Sequence, residues 1–335
     1  MFITQPVAPR AVQRLRDVAD VSQNMDPLHG LTKAELIEAV RSSDALFCLL
    51  HDTIDADVIA ANPELRVIGS MTITPDRIDV AAATARGIPV TGIPALVTEA
   101  SADLAMGLLL AVARRIVEAD TLVRRGVFPG AQSTYLEGRG VSGKTLGLVG
   151  AGRVGQAVAR RAHGFGMRIL YHDPRRAESG EAALGLVRRS FDELLREADF
   201  VSVHVAYSNE TNHLIAAREL AMMKPTAYLI NTSRGPVVDE AALIDALQQQ
   251  RIAGAALDVH EHEPVVAPAL LALPNVVLTP HVGSATADLR EQMAMIVVDN
   301  ILAVLQGHRP PNCLNSEIYD RYKELPSPHA RPTRS

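Results

Sequence analysis

Residues 146–155 read Leu146-Gly147-Leu148-Val149-Gly150-Ala151-Gly152-Arg153-Val154-Gly155. An apolar run that meets Gly-x-Gly-x-x-Gly is the pattern of a buried parallel strand turning into a helix whose first turn faces a diphosphate. Gly150 permits the tight turn, Gly152 lets backbone amides approach the phosphates, and Gly155 lets helix and strand pack closely. The helix would open at Arg153 and Val154, where unpaired amides and the positive dipole end favour an anion. Asp173 follows Gly155 by 18 residues, in Leu170-Tyr171-His172-Asp173-Pro174, where a carboxylate for the adenosine ribose hydroxyls is expected. That carboxylate favours NAD, because a 2′-phosphate would be repelled. Arg175 and Arg176 keep NADP open if they clamp that phosphate; the alternative is two solvated arginines of a polar loop.

Outward from this motif the chain alternates strand-like and helix-like patterns. From Lys144 onward, strands are expected at Thr145–Val149, Arg168–Tyr171, Phe200–Val205, Thr226–Asn231, Gly254–Asp258 and Val276–Thr279. Helices fit Val154–Gly164, Phe191–Arg196, Ala217–Met222, Glu240–Gln249 and a closing one at Thr286–Leu305. Six strands with intervening helices are what a doubly wound nucleotide fold requires. A similar series precedes it. Strand candidates are Phe2–Thr4, Ala45–Leu50, Arg66–Gly69 and Pro89–Thr91, with helical patterns at Pro9–Arg16, Lys33–Val40, Ala56–Ala61 and Ile78–Ala85. Between the two series, Thr98 to Arg125 reads as one long helix, too apolar for a surface position and expected to be buried between domains or at a subunit contact. Residues 126–143 read as an irregular arm, and the polar, proline-broken tail from Lys323 as a mobile end.

A length of 335 residues exceeds one ordinary core and suits two domains. A 47% apolar and 21% charged composition is that of a folded soluble protein. The formal net charge of −5, without a basic block, argues against a nucleic-acid or anionic-membrane partner. No apolar segment is long enough to span a bilayer and no secretory leader is visible. Two cysteines, Cys48 and Cys313, read as reduced thiols of a cytoplasmic protein, Cys48 buried in an apolar run.

Three later segments place polar residues at the ends of expected strands, the side on which such folds bind ligands. They are Asn231-Thr232-Ser233-Arg234-Gly235, Ala256-Leu257-Asp258-Val259-His260-Glu261-His262-Glu263-Pro264 and Thr279-Pro280-His281-Val282-Gly283-Ser284-Ala285. Together with the glycine motif they resemble the D-isomer-specific 2-hydroxyacid dehydrogenase family, over about residues 45–310 and in the family's order. Val97-Thr98-Glu99 and the stretch from Pro280 to Thr286 look most like its glyoxylate/hydroxypyruvate reductase branch.

The resemblance implies an α/β protein of two doubly wound parallel-sheet domains flanking a cleft. A Rossmann cofactor domain (99–285) would be inserted in a flavodoxin-like substrate domain (1–98 and 286–335). It also implies hydride transfer between NAD(P)H and a small 2-keto or 2-hydroxy acid, with D specificity. Arg234 would hold the substrate carboxylate and polarise its carbonyl, a task suited to a planar fork of donors. His281 would be the acid/base, since imidazole ordinarily titrates near neutrality, and Glu263 the carboxylate that orients it. Asp258 would bind the nicotinamide carboxamide. Val205, Thr211, Thr232, Ser233, His281 and Ser284 would line the cofactor. Met71, Thr72, Ile73 and Thr74 would offer amides to the substrate. That loop departs from the family pattern, with Thr74 where glycine is usual and Pro75 removing an amide. Ala206 stands where relatives carry proline. A homodimer through residues 100–140 is implied, with Phe128 or Tyr135 available to a partner.

Alternatives remain at this level: an NAD(H)-sensing interaction protein of the corepressor type, or an enzyme like phosphite dehydrogenase, whose usual lysine is not visible at residues 70–76. A metal reading of His260-Glu261-His262-Glu263 lacks a clear third ligand and the helical His-Glu-x-x-His spacing, so no metal is expected.

Overall fold

The computed structural model describes residues 1–320; the tail expected to be mobile lies outside them. The chain divides into two compact units, Met1–Leu96 with the segment from Thr286 onward, and Val97–Ala285.

The first unit holds β1 (Phe2–Ile3), β2 (Ser22–Gln23), β3 (Ala45–Cys48), β4 (Val67–Ser70) and β5 (Val90–Thr91), parallel and in the order β2-β1-β3-β4-β5. This is a flavodoxin-like doubly wound order. Residues of β3 and β4 are all buried, as strands covered on both faces must be. The closing helix, Ala287–Leu305, lies on this sheet so closely that a Cβ on Gly69 would come within 2.7 Å of Ile301. Asn300, fully buried, donates to the Gly92 carbonyl and accepts from the Asn312 amide, tying helix, β5 and the following segment together. Cys48 is buried and its thiol is pushed up by desolvation, so it is an inert core residue.

The second unit adds β6 (Thr145–Val149), β7 (Arg168–His172), β8 (Val187–Arg188), β9 (Phe200–Val203), β10 (Tyr228–Asn231), β11 (Gly254–Leu257) and β12 (Val276–Leu278). All seven run parallel in the order β12-β11-β10-β9-β6-β7-β8. The order reverses between β6 and β9, and at such a switch point the loops leaving the strands open a crevice. The glycine turn, Asp173 and the three polar segments 231–235, 256–264 and 279–285 all lie at the carboxyl ends of strands of this sheet.

Four expectations change. The first sheet has a fifth strand, the two-residue β2, and the second unit an added short helix at Glu178–Leu184. The second sheet has seven strands rather than six, because β8 is a two-residue edge strand too short to show a periodicity. The long helix breaks into Thr98–Ala113 and Ile116–Arg124, with Arg115 at φ 53. The Ala113 carbonyl accepts instead from the returning Arg139 amide (2.7 Å), and the Arg115 guanidinium forks onto Glu118. The first of these helices owes its apolarity to burial inside its own unit. Ala102, Ala105, Leu109 and Val112 share a core with Leu146, Leu148 and Ile230. Only Ile116–Arg124 lacks a buried residue.

Candidate active site

The glycine turn shows three different constraints. Gly150 has φ +97, and a Cβ there would meet the His204 backbone at 2.8 Å. A Cβ on Gly155 would lie 2.3 Å from the Gly150 carbonyl oxygen. Gly152 instead faces open space, so a side chain there would fill the cradle in front of the helix Arg153–His163. That helix has no side-chain cap, and its first main-chain bond is donated by Gln156 to Gly152. The amides of Arg153, Val154 and Gly155 are thus left for an anion. Asp173 receives the Ala151 amide on Oδ2 (2.9 Å) and the Arg175 amide on Oδ1 (2.8 Å), which fixes its carboxylate beside the turn. Arg176 is exposed and forks onto Glu181.

His204 follows β9 and closes the switch point from the other side. Its ring pairs with Ser202 Oγ at 2.8 Å, and burial holds its pKa down to about 4. In the unfolded chain the same ring takes up a proton near 6.5. Between those values the unfolded state binds more protons. The stabilisation is therefore complete above about pH 6.5 and is lost as pH falls toward 4, by ~1–3 kcal/mol. His204→Gln is expected to flatten that part of the stability curve. Denaturant titrations near pH 7.5 and pH 5 measure it, and an unchanged pH dependence would contradict the assignment.

Beyond β10, Asn231 accepts from Ser233 N (3.0 Å) and Ser233 Oγ (2.8 Å) and donates to the Arg234 carbonyl (3.0 Å). The turn holds Arg234 extended, with Nη1 on the Ser233 carbonyl at 2.9 Å. A Cβ on Gly235 would lie 1.9 Å from the His260 carbonyl oxygen, so the Arg234 loop rests directly on the backbone of the loop after β11. A second tie joins the same loops: Glu261 Oε2 accepts the Glu240 amide (3.0 Å) and Glu240 Oε2 the Glu261 amide (3.2 Å). His260 is buried and its Nε2 meets the Thr279 carbonyl at 3.2 Å, a packing role rather than a place in an exposed loop.

The loops after β11 and β12 carry the expected acid/base pair. Glu263 Oε1 accepts the His260 amide (2.9 Å), which aims Oε2 at His281 Nδ1 (2.9 Å). With Nδ1–H directed at the carboxylate, proton exchange with a substrate would fall to Nε2. His281 has φ 54, a left-handed conformation costly for a residue with a Cβ. Asp258 imposes it. The carboxylate, 1% exposed, accepts from Thr279 Oγ1 (2.6 Å) and Val282 N (2.8 Å) on Oδ1 and from Gly283 N (2.8 Å) on Oδ2. The Asp258 carbonyl takes the His281 amide at 2.8 Å. Asp258 therefore shapes the histidine loop, a role its position in the sequence did not reveal.

The remaining expected residues divide by what already occupies them. Thr232 Oγ1 is buried without a partner in the described residues, as a hydroxyl reserved for a bound polar group would be. Thr211 Oγ1 instead bonds within its own loop, to Ser208 N (2.7 Å) and the Ala206 carbonyl (2.8 Å). The Ser233 hydroxyl is engaged by Asn231. These two contribute loop shape. Val205 lies against the glycine turn: a Cβ on Gly150 would come within 3.0 Å of its amide nitrogen. Ser284 follows directly on Gly283 in the histidine loop. In the first unit, the Met71 amide donates to the Cys48 carbonyl (3.0 Å), which removes it from the expected substrate contacts. The amides of Thr72, Ile73 and Thr74 have no partner among the described residues. Their loop is held by Ser70 Oγ on Thr72 Oγ1 (2.7 Å) and by the Ile93 amide on the Thr72 carbonyl (2.9 Å).

Comparison with known proteins agrees with this geometry. Residues 106–283 match the model of the D-isomer specific 2-hydroxyacid dehydrogenase NAD binding domain. The chain is 45% identical over 322 residues to a glyoxylate reductase of Thermococcus litoralis, covering 95% of this chain and 97% of that one. It is 46% identical over 320 residues to one of Korarchaeum cryptofilum, covering 95% and 96%. Among solved structures it is similar to an NADPH-dependent glyoxylate/hydroxypyruvate reductase from Sinorhizobium meliloti in complex with NADP and malonate. That likeness has a TM-score of 0.73 and 33% identity over 93% of this chain and 95% of the other.

Proposed function

The chain belongs to the D-isomer specific 2-hydroxyacid dehydrogenase family, whose members are NAD(P)-dependent enzymes, and on that premise we propose that it reduces glyoxylate or hydroxypyruvate to the corresponding 2-hydroxy acid, with D configuration where the product is chiral. The observation that carries this reading is the Glu263–His281 pair at 2.9 Å, on a loop braced by Asp258. When bound, the dinucleotide supplies the hydride that the keto carbon accepts.

The chain's own residues divide the rest. The amides of Arg153, Val154 and Gly155 hold the diphosphate, and Asp173 takes the adenosine ribose. Thr232 and Val205 line the nicotinamide half, and the second acceptor site of Asp258 Oδ2 suits the carboxamide. Arg234 binds the substrate carboxylate and polarises the carbonyl. His281 Nε2 gives its proton to the carbonyl oxygen as the alkoxide forms, while Glu263 stabilises the ring and keeps its tautomer. The amides of Thr72 to Thr74 are assigned to the substrate. In this assignment Val97–Ala285 is the cofactor domain and the other unit the substrate domain.

A cytoplasmic homodimer completes the reading. The helix Ile116–Arg124 presents Ile116, Val117 and Val123 to solvent, followed by Val127 and Phe128, the last 79% exposed. Exposed apolar side chains of this kind are what a second copy would cover, and light scattering should return twice the chain mass.

The experiment that tests the function is NADH and NADPH oxidation against glyoxylate, hydroxypyruvate, pyruvate and phenylpyruvate. The two small 2-keto acids should give the highest kcat/KM. Dinucleotide binding without turnover of any of them would favour the interaction-protein reading instead.

A further inference from the structure

The turn beyond Asp173 carries three arginines with different partners. Arg188, at the end of β8, donates from Nη2 to the carbonyls of Asp173 (2.9 Å) and Pro174 (3.1 Å). Arg175 is exposed and has no ion pair among the described residues. Arg176 pairs with Glu181. Its Nε meets Glu181 Oε1 at 3.2 Å and Oε2 at 3.0 Å, and Nη2 meets Oε2 at 2.8 Å. Glu181 is gripped from a second side by the hydroxyl of Tyr171, which donates to Oε1 at 2.5 Å and accepts the Ala177 amide at 3.1 Å. Tyr171 is a fully buried residue of β7, so its ring cannot drift. The core thus fixes the carboxylate and the carboxylate fixes the arginine. The hydrogen bond from Arg176 and that from Tyr171 hold the Glu181 carboxyl below its ordinary range.

We propose that Glu181 sets the cofactor preference of this chain by withholding Arg176 from an adenosine 2′-phosphate. The inference rests on the placement of the adenosine ribose at Asp173. A phosphate monoester at that position carries close to two negative charges and lies against a carboxylate that is already fixed by the Ala151 and Arg175 amides. Arginines of this turn are the groups placed to offset the repulsion. A guanidinium fork fits a carboxylate or a phosphate, but the same edge cannot serve both at once. While Glu181 holds it, Arg176 must break its charged contacts with that carboxylate before it reaches the ribose. The wild-type protein therefore favours NAD(H), with weaker NADP(H) binding supported by Arg175. Glu181 touches neither nicotinamide nor substrate, so its removal leaves the hydride chemistry in place.

Calorimetric titration of the full-length protein with 5′-AMP and with adenosine 2′,5′-bisphosphate isolates the 2′-phosphate without turnover. Glu181→Gln keeps an acceptor for Tyr171 and removes the charge. It is expected to tighten the bisphosphate about three- to tenfold, the range of a partly exposed bidentate contact, and to leave 5′-AMP unchanged. The ratio of kcat/KM for NADPH over NADH should rise by the same factor. Adding Arg176→Ala should abolish the gain. A gain that persists in the double variant, or an E181Q effect equal for both nucleotides, would overturn the proposal. If 5′-AMP failed to bind the wild-type protein at all, the Asp173 nucleotide site would fall, and the proposal with it.

Discussion

His281→Asn is expected to lower kcat by about two to four orders of magnitude while NADH binds with unchanged affinity. The amide is close to the ring in size and still pairs with Glu263, but it cannot deliver a proton to the forming alkoxide. The effect belongs to the chemical step, because Nδ1 is committed to Glu263 at 2.9 Å and proton transfer is assigned to Nε2. Fluorescence titration of NADH and steady-state oxidation at saturating keto acid separate the two quantities. Turnover within a few-fold of wild type would remove His281 from the mechanism. Glu263→Gln should fall between the two, since the carboxamide can still hold the ring without stabilising its charge.

Arg234→Ala is expected to reduce kcat/KM for the keto acid by about two to three orders of magnitude, the cost of leaving a desolvated carboxylate without its bidentate partner. NADH affinity should not move, because the Asn231 turn that shapes the loop uses the Arg234 carbonyl rather than its side chain. Arg234→Lys should recover only part of the loss, a point charge replacing a fork. An unchanged kcat/KM in the alanine variant would exclude Arg234 from the substrate carboxylate.

Much of the fold was legible because its signals are local and repeated. The run Leu146–Val149 meeting Gly150 announces strand, turn and helix within ten residues, and the strands that follow are apolar enough to be seen one by one. Signals weaken where an element is short or its reason lies elsewhere in the chain. β8 spans two residues and has no period. The helix break at Arg115 depends on Arg139 capturing the Ala113 carbonyl, a long-range bond that no local propensity encodes.

The site shows the same division. Arg234, Glu263 and His281 could be named from their segments, but what holds them could not. Asp258 bonding into the histidine loop, the reciprocal Glu240–Glu261 ties and the contact of Gly235 with His260 each join residues far apart in sequence. One was within reach: Asn231, two residues before Ser233, has the spacing of a side chain that closes its own turn. The Met71 amide was misjudged because its partner, Cys48, lies on a neighbouring strand.

The most direct test follows the hydride itself. Hydroxypyruvate reduced by this protein with NADH deuterated at C4 should give D-glycerate bearing deuterium at C2, read by proton NMR and chiral chromatography. Bound NADH with no product, or glycerate without deuterium at C2, would contradict a direct transfer from nicotinamide to keto acid at this site.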